Sequence, residues 1–395
     1  MNRLSTIVSL ISVILISSTI LGQSNLVTDT TFHFNNGKIK SILQYTIIDA
    51  DTIYEGPAFF YYIDGKPWQT GSYKNNHMNG VWTTYQNNGK IKRKASYKDG
   101  LKNGEIINYY ENGYARNILN YINDTLNGLA TLCYNNNKLK EARYYKRNKL
   151  NGITTGYHPN GNLSYRINFV DSIQNGLYEK YYLSGKLKEK STIADQNFYG
   201  RYNSFYENGQ VEKEYSYKAY SIDGPYKVYF ENGNIMITGN YFDGKLEGLW
   251  QEYYSDGSLY ETGIFRNGKR EGNWVSFYQD STTYMKGVYN NGVAEGLWEV
   301  FYPNGNKKQI GSFIDGKSNG VWEFYHDNGE LRIKGKYINN KNEGHWVHYY
   351  NNGKVKLDLY YTNGMLNGIL TAYDENGNMI EQAEYKDNKL VKQIW

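Results

Sequence analysis

The side chains able to do chemistry are few and scattered. His326, His345 and His348 lie near one another in the chain, and three imidazoles could hold a zinc ion. On a strand, though, the three-residue step from His345 to His348 sends the two rings to opposite faces, so they read as solvated strand histidines. Asp49 and Asp51 could offer oxygens to calcium, but a lone acidic pair reads as loop chemistry. Cys133 is the only cysteine, which excludes an intrachain disulfide, and it stands where comparable positions carry Tyr or Phe, as a small core residue does. Glu247, Glu271, Glu295 and Glu343 recur at multiples of 24, the pattern of a turn-side charge row paired with Lys245, Lys269 and Lys341. Catalysis needs unlike groups converging, and no zinc-helix motif, nucleophile elbow, phosphate loop or cysteine pair occurs. The expectation is a protein that is not an enzyme and takes no cofactor and no metal.

What positions every one of these groups is a repeat. Glycine stands at 56 and at each twenty-fourth residue through 368, fourteen times without a miss. Nine residues after each comes a second glycine, replaced only by Asn137 and Ser281. A fixed period of this length means a solenoid of small supersecondary units. Each unit carries two turn signals, an Asn/Asp-Gly between aromatics, as in "YFENGNIM", and a second about eleven residues on, as at Asp243-Gly244. In the first, the two central residues are expected to take positive φ. About eight β-forming residues separate the turns and no helical period appears. The fold class is therefore all-β: an elongated solenoid of stacked antiparallel β-hairpins with a 24-residue period, in a single curled meander sheet.

Composition agrees, with 43 Tyr and 41 Gly against 5 Pro, and a net charge of only +5, too weak and scattered for nucleic acid. Residues 1–22 read as a signal peptide, with Arg3, an apolar run from Ile7 to Ile16 and a small-residue end at Gly22. No cysteine follows that run, which argues against a lipoprotein. No later stretch is long enough for a membrane helix, so no transmembrane segment is expected after cleavage. Residues 23–55 read as a degenerate N-terminal capping repeat with four extra residues between Tyr45 and Gly56, 56–391 as fourteen repeats, and 392–395 as the end of a C-terminal capping strand. The expected location is exported, in the periplasm or at the surface of a bacterium.

Matched substitution sets the register. Six units carry Trp two residues after the repeat glycine, at 82, 250, 274, 298, 322 and 346, and only these have Gly eleven residues earlier. A two-residue turn at Gly244-Lys245 puts Gly239 across from Trp250, so the indole covers bare backbone. The same register seats Tyr241 between Gly224 and Gly248, making the repeat glycine a packing device. Strict alternation then gives an aromatic face, with the Trp row and a row of Tyr182, Tyr254, Tyr278, Tyr302 and Tyr350 beside Leu187 and Leu259. The other face is polar, with Lys140, Lys188, Lys308 and Lys356 beside a ladder that includes Tyr253. Trp250, Trp274, Trp298, Trp322, Trp346, Tyr254, Tyr278, Tyr302 and Tyr350 are the candidate binding face.

Units such as "GLWQEYYSDGSLYETGIFRNGKRE" resemble the variant MORN repeat of bacterial proteins labelled YwqK-family antitoxins, in the Gly-x-Trp step, the Tyr-Tyr-x-Asn/Asp-Gly turn and the Gly-x-Tyr/Phe return. The resemblance implies stacked hairpins that serve as scaffolds and bind proteins or lipids. The functional expectation is an exported, non-enzymatic scaffold for an unknown protein partner. The alternatives are a cell-surface glycan or wall-polymer binder, supported by a weaker resemblance to choline- or glucan-binding hairpins, and an antitoxin or immunity-like protein. An export signal fits poorly with neutralising a toxin in the cytoplasm.

Overall fold

The computed structural model describes residues 26–395, and the expected leader lies outside them. Those residues form 36 strands and no helix, each strand antiparallel to its neighbours, so the fold is all-β and built of hairpins as the period implies. They divide into two compact units, one ending at Asn197 and one running from Phe198 to Trp395.

In the second unit the segment from Ile235 to Arg266 is representative. Strand Ile235–Phe242 turns at Asp243-Gly244, where φ is 47° and 76°, and Phe242 pairs with Lys245. That is a two-residue turn with both central residues left-handed, one position earlier than alternation required. Ile237 nevertheless pairs with Glu252, a register two residues longer than the turn implies. The difference is taken up at Glu247 and Gly248, which interrupt the ladder between Lys245–Leu246 and Gly248–Tyr253. Gly248 has φ of 83° and open space where a Cβ would stand, so the repeat glycine is a bulge residue and no ring beds on it. Tyr241 does pair with Gly224, but its other partner is Leu246 and not Gly248.

The first turn differs too. Gly257 N–H donates to Tyr254 O (2.9 Å), Tyr254 N–H to Ser258 O (2.8 Å), and only Gly257, at φ 93°, is left-handed. This is a three-residue loop that needs one left-handed position, with Asp256 Oδ1 accepting the Ser258 N–H at 2.9 Å. Asn137 and Ser281 take the same conformation, at 65° and 68°, which is how two units do without the glycine. A second bulge follows: Glu252 pairs with Glu261 but Tyr253 with Leu259. Tyr253 and Leu259 therefore share a face that strict alternation denies them. Lys308 likewise stands 5.6 Å over the Tyr302 ring and Lys356 5.3 Å over Tyr350, where alternation puts them on opposite faces.

In the first unit, the four extra residues lengthen one hairpin. Two precede and two follow the turn at Asp49-Ala50, extending strands Ile39–Ile48 and Asp51–Tyr61.

The Trp/Gly pairing holds in every case. A Cβ built on Gly239 would lie 2.4 Å from the Trp250 ring, and one on Gly311 2.0 Å from Trp322. The indoles are 2–9% exposed and form the core. They alternate edge-to-face with the aromatic row: Phe265 to Trp274 is 5.1 Å at 86°, and Tyr337 to Trp346 is 4.9 Å at 82°. Where Trp is missing in the second unit, volume is shared differently. Tyr202 pairs with Tyr215, stacked at 4.8 Å, and Tyr226 stacks on Tyr215 at 5.5 Å, so two phenols replace one indole and one bare glycine. Burial drives the Tyr215 phenol well above its ordinary range.

One turn in the second unit breaks the rule. Ala219 and Tyr220 adopt φ of 46° and 73° without a Gly or Asn between them, and each such residue costs roughly 1–2 kcal/mol. The double change A219N/Y220G is expected to raise the thermal midpoint, by about 1–2 kcal/mol of stability. An unchanged or lower midpoint in a melting curve contradicts the reading.

Candidate binding surfaces

The five candidate tryptophans are 3–9% exposed, so the indoles serve the core and present little area outward. The candidate tyrosines are half-buried and their hydroxyls are committed. Tyr254 donates to Phe277 O (2.9 Å), Tyr278 to Phe301 O (2.9 Å), Tyr302 to Tyr325 O (3.0 Å) and Tyr350 to Tyr373 O (2.8 Å). Each bond satisfies a carbonyl in the next repeat. His158 and His326 stand in the same column and make the same bond from Nε2 at 3.2 Å, which explains why imidazole substitutes for phenol there.

The acidic row is also structural. Glu247, Glu271, Glu295 and Glu343 accept the first N–H of the following turn, at 2.8, 2.8, 3.0 and 2.7 Å. The expected partners Lys245, Lys269 and Lys341 are not the ones they bind. A glutamate carboxylate, two methylenes out from its strand, reaches the next turn's backbone, and that fixed donor orders it better than a mobile ammonium does.

What faces outward is a row that the binding-face expectation missed. The residue directly after the repeat glycine is apolar and about half exposed at Leu249, Leu297 and Val321 (54, 52 and 54%), and is Arg201, Pro225, Asn273, His345 or Ile369 in the other repeats of the second unit. Being one residue from a buried Trp, it points away from the core. The alternation that located the Trp row also implies this one. Its neighbours are charged and ordered: Glu299 bonds Lys286 at 2.7 Å and Lys307 at 3.2 Å, and Glu323 bonds Lys334 at 2.9 Å and the Tyr325 hydroxyl at 2.7 Å. Lys286 above all holds the Glu299 carboxyl below its usual range, Lys334 does the same for Glu323, and burial beside Glu323 pushes Tyr325 up to about 12.

His345 lies on the outward face, stacked on Tyr360 at 4.7 Å and bonded to Asp358 at 2.8 Å. His348 is half-buried, and desolvation lowers its pKa. Among the described residues no three His, Cys, Asp or Glu side chains group to hold a metal ion. No described helix is long and apolar enough to cross a membrane.

The sequence model of the MORN repeat variant matches eleven stretches, 54–75, 78–99, 150–171, 174–195, 198–219, 222–243, 246–267, 294–315, 318–339, 342–364 and 366–387, together more than half of the chain. The chain belongs to the MORN repeat variant family. The unmatched units begin at Gly104, Gly128 and Gly272, yet each forms the same hairpin, and two of them are those with Asn137 and Ser281 at the first turn. No curated protein matches this MORN chain. Solved structures with some likeness include "Crystal Structure of TcdB2-TccC3-Cdc42", 11% identical over 91% of this chain and 25% of that one with a TM-score of 0.13. Another is "Structure of Photorhabdus luminescens Tc holotoxin pore, Mutation TccC3-D651A", 10% identical over 93% and 24% with a TM-score of 0.15. The MORN chain spans about a quarter of these chains, and likeness at such scores carries no weight.

Proposed function

We propose that this MORN repeat protein is exported and acts without catalysis, as a scaffold that binds another polypeptide along its outward sheet face. The observation that supports this most is that the outward row carries exposed apolar side chains at Leu249, Leu297 and Val321, outside the buried tryptophans. Buried tryptophans leave nothing for this row to do in folding, and an ordered border such as Glu299 with Lys286 and Lys307 suits the polar rim of an interface. The expected leader at 1–22 supports export.

The test is capture from envelope extract on immobilised chain 23–395, beside the triple variant L249K/L297K/V321K. Wild type is expected to retain one defined polypeptide, and the variant to lose at least about tenfold in affinity, about 1.4 kcal/mol, with an unchanged melting curve. Equal retention by both, or retention of purified wall polymer in place of a polypeptide, overturns the proposal.

A further inference from the structure

The repeat shows where to look for a site, because at a column whose residue type varies from unit to unit the fold does not dictate the side chain. Twelve residues after the repeat glycine seven of the fourteen units carry Lys or Arg. Lys140, Lys188, Lys308 and Lys356 each lie over the ring of the tyrosine six residues earlier at 5.3–5.7 Å, while Tyr260 and Tyr284 hold the position in two other units and pack edge-on against Tyr254 and Tyr278. In the unit that begins at Gly56 that position is Trp68. Unlike the six core tryptophans it is 43% exposed, and it packs edge-on against Phe60 with ring centroids 6.0 Å apart. It borders a hollow of about 300 Å³, lined also by His33, Lys40, Phe60, Tyr62 and Ile63.

Few polar groups in this hollow are open to a ligand. Tyr62 donates its hydroxyl to Tyr85 O at 2.8 Å, and His33 Nε2 is bonded to Tyr61 O at 3.2 Å. Lys40 is exposed, and no carboxylate lines the wall. A sugar would bring many hydroxyls to a wall that offers them almost nothing, and burying them unmatched is unfavourable. A single apolar side chain with a negative charge beside it matches both the rings and the ammonium.

We propose that the hollow at Trp68 is an anchor site that takes one large apolar side chain of a polypeptide partner, with an adjacent carboxylate on Lys40. This rests on the scaffold reading and names the chemistry of the partner's anchor. Trp68 supplies an indole face for the inserted group, as interface anchors do, and Lys40 sets its polarity.

Ligand-observed NMR on chain 23–395 tests it, with indole-3-acetate, its neutral amide and a cello-oligosaccharide as probes. The acid is expected to bind, more tightly than the amide. W68A should weaken it at least fivefold and W68F largely restore it, and K40Q should abolish the preference for acid over amide. Trp68 is exposed, so the fold is expected to survive, and unchanged dispersion of the core indole signals verifies it. No binding of the acid, equal binding by W68A, or binding of the oligosaccharide in place of the acid overturns the proposal. The probe is not a partner, so a negative result here leaves the capture experiment standing, and failed capture leaves a positive result here standing.

Discussion

Replacing Trp322 with alanine is expected to cost about 3–5 kcal/mol of local stability, the range for emptying a large aromatic from a core. Trp322 is 5% exposed, lies over Gly311, and meets Phe313 edge-on at 5.1 Å, so its removal opens a gap that neighbouring strands cannot close. The converse change, Gly311→Ala, should cost about 1–3 kcal/mol by overpacking, since the new Cβ would stand 2.0 Å from the indole. The two changes together should cost no more than Trp322→Ala alone, because the methyl then occupies vacated space. That non-additivity is the signature of direct contact. Gly320→Ala is the control: φ there is 82° with open space around the missing Cβ, so about 1–2 kcal/mol of backbone strain should add independently of Trp322. Amide exchange across Lys317–Tyr325 and Leu331–Ile338 reads each change in the unit where it occurs. Additive costs at Gly311 and Trp322 would refute the contact as the basis of the register.

The Trp/Gly correlation was legible because it depends only on which residues face each other, and six units repeat it. The bulges were not. A two-residue turn at Gly244-Lys245 and a turn at Asp243-Gly244 followed by a bulge at Gly248 both place Gly239 across from Trp250, so contact evidence cannot separate them. What distinguishes them is φ at the repeat glycine, since a glycine that recurs for packing and one that recurs for left-handed backbone look alike in sequence. The second bulge, after Glu252, undid the assignment of Tyr302 and Lys308 to opposite faces. The binding-face expectation took the largest aromatics as the ones on offer. In a sheet with one closed face, however, the largest rings are needed inside, and the outward residue is the modest Leu249 next to Trp250. Trp68 was detectable from sequence as the one indole in a column that carries a cation in seven units and a tyrosine, Tyr260 or Tyr284, in two others.

Removing the carboxylate of Glu261 is the second large effect. Glu261 is 6% exposed and receives both Arg270 nitrogens, Nη1 at 3.1 Å and Nη2 at 2.6 Å, together with the Ser276 hydroxyl at 3.1 Å. The guanidinium lies 3.9 Å from the centre of the Trp274 ring, so the pair borders the indole core at the edge of the unmatched unit 270–291. Glu261→Ala leaves Arg270 facing apolar rings without a counter-charge and Ser276 without an acceptor. A cost of about 3 kcal/mol is expected, at the low end for a broken buried pair because Arg270 keeps some contact with water. If the pair is there for stability, replacing all of it should be worse still. If desolvation cancels most of its attraction, the triple variant E261M/R270L/S276A should melt within about 1 kcal/mol of wild type or above it. The second outcome is expected, because the aromatic row on either side already fills the core and a methionine and a leucine supply similar volume without a charge to bury. A triple variant as unstable as Glu261→Ala would mean that this unit, lacking the family's turn glycine at Ser281, depends on the ion pair to hold its register against its neighbours.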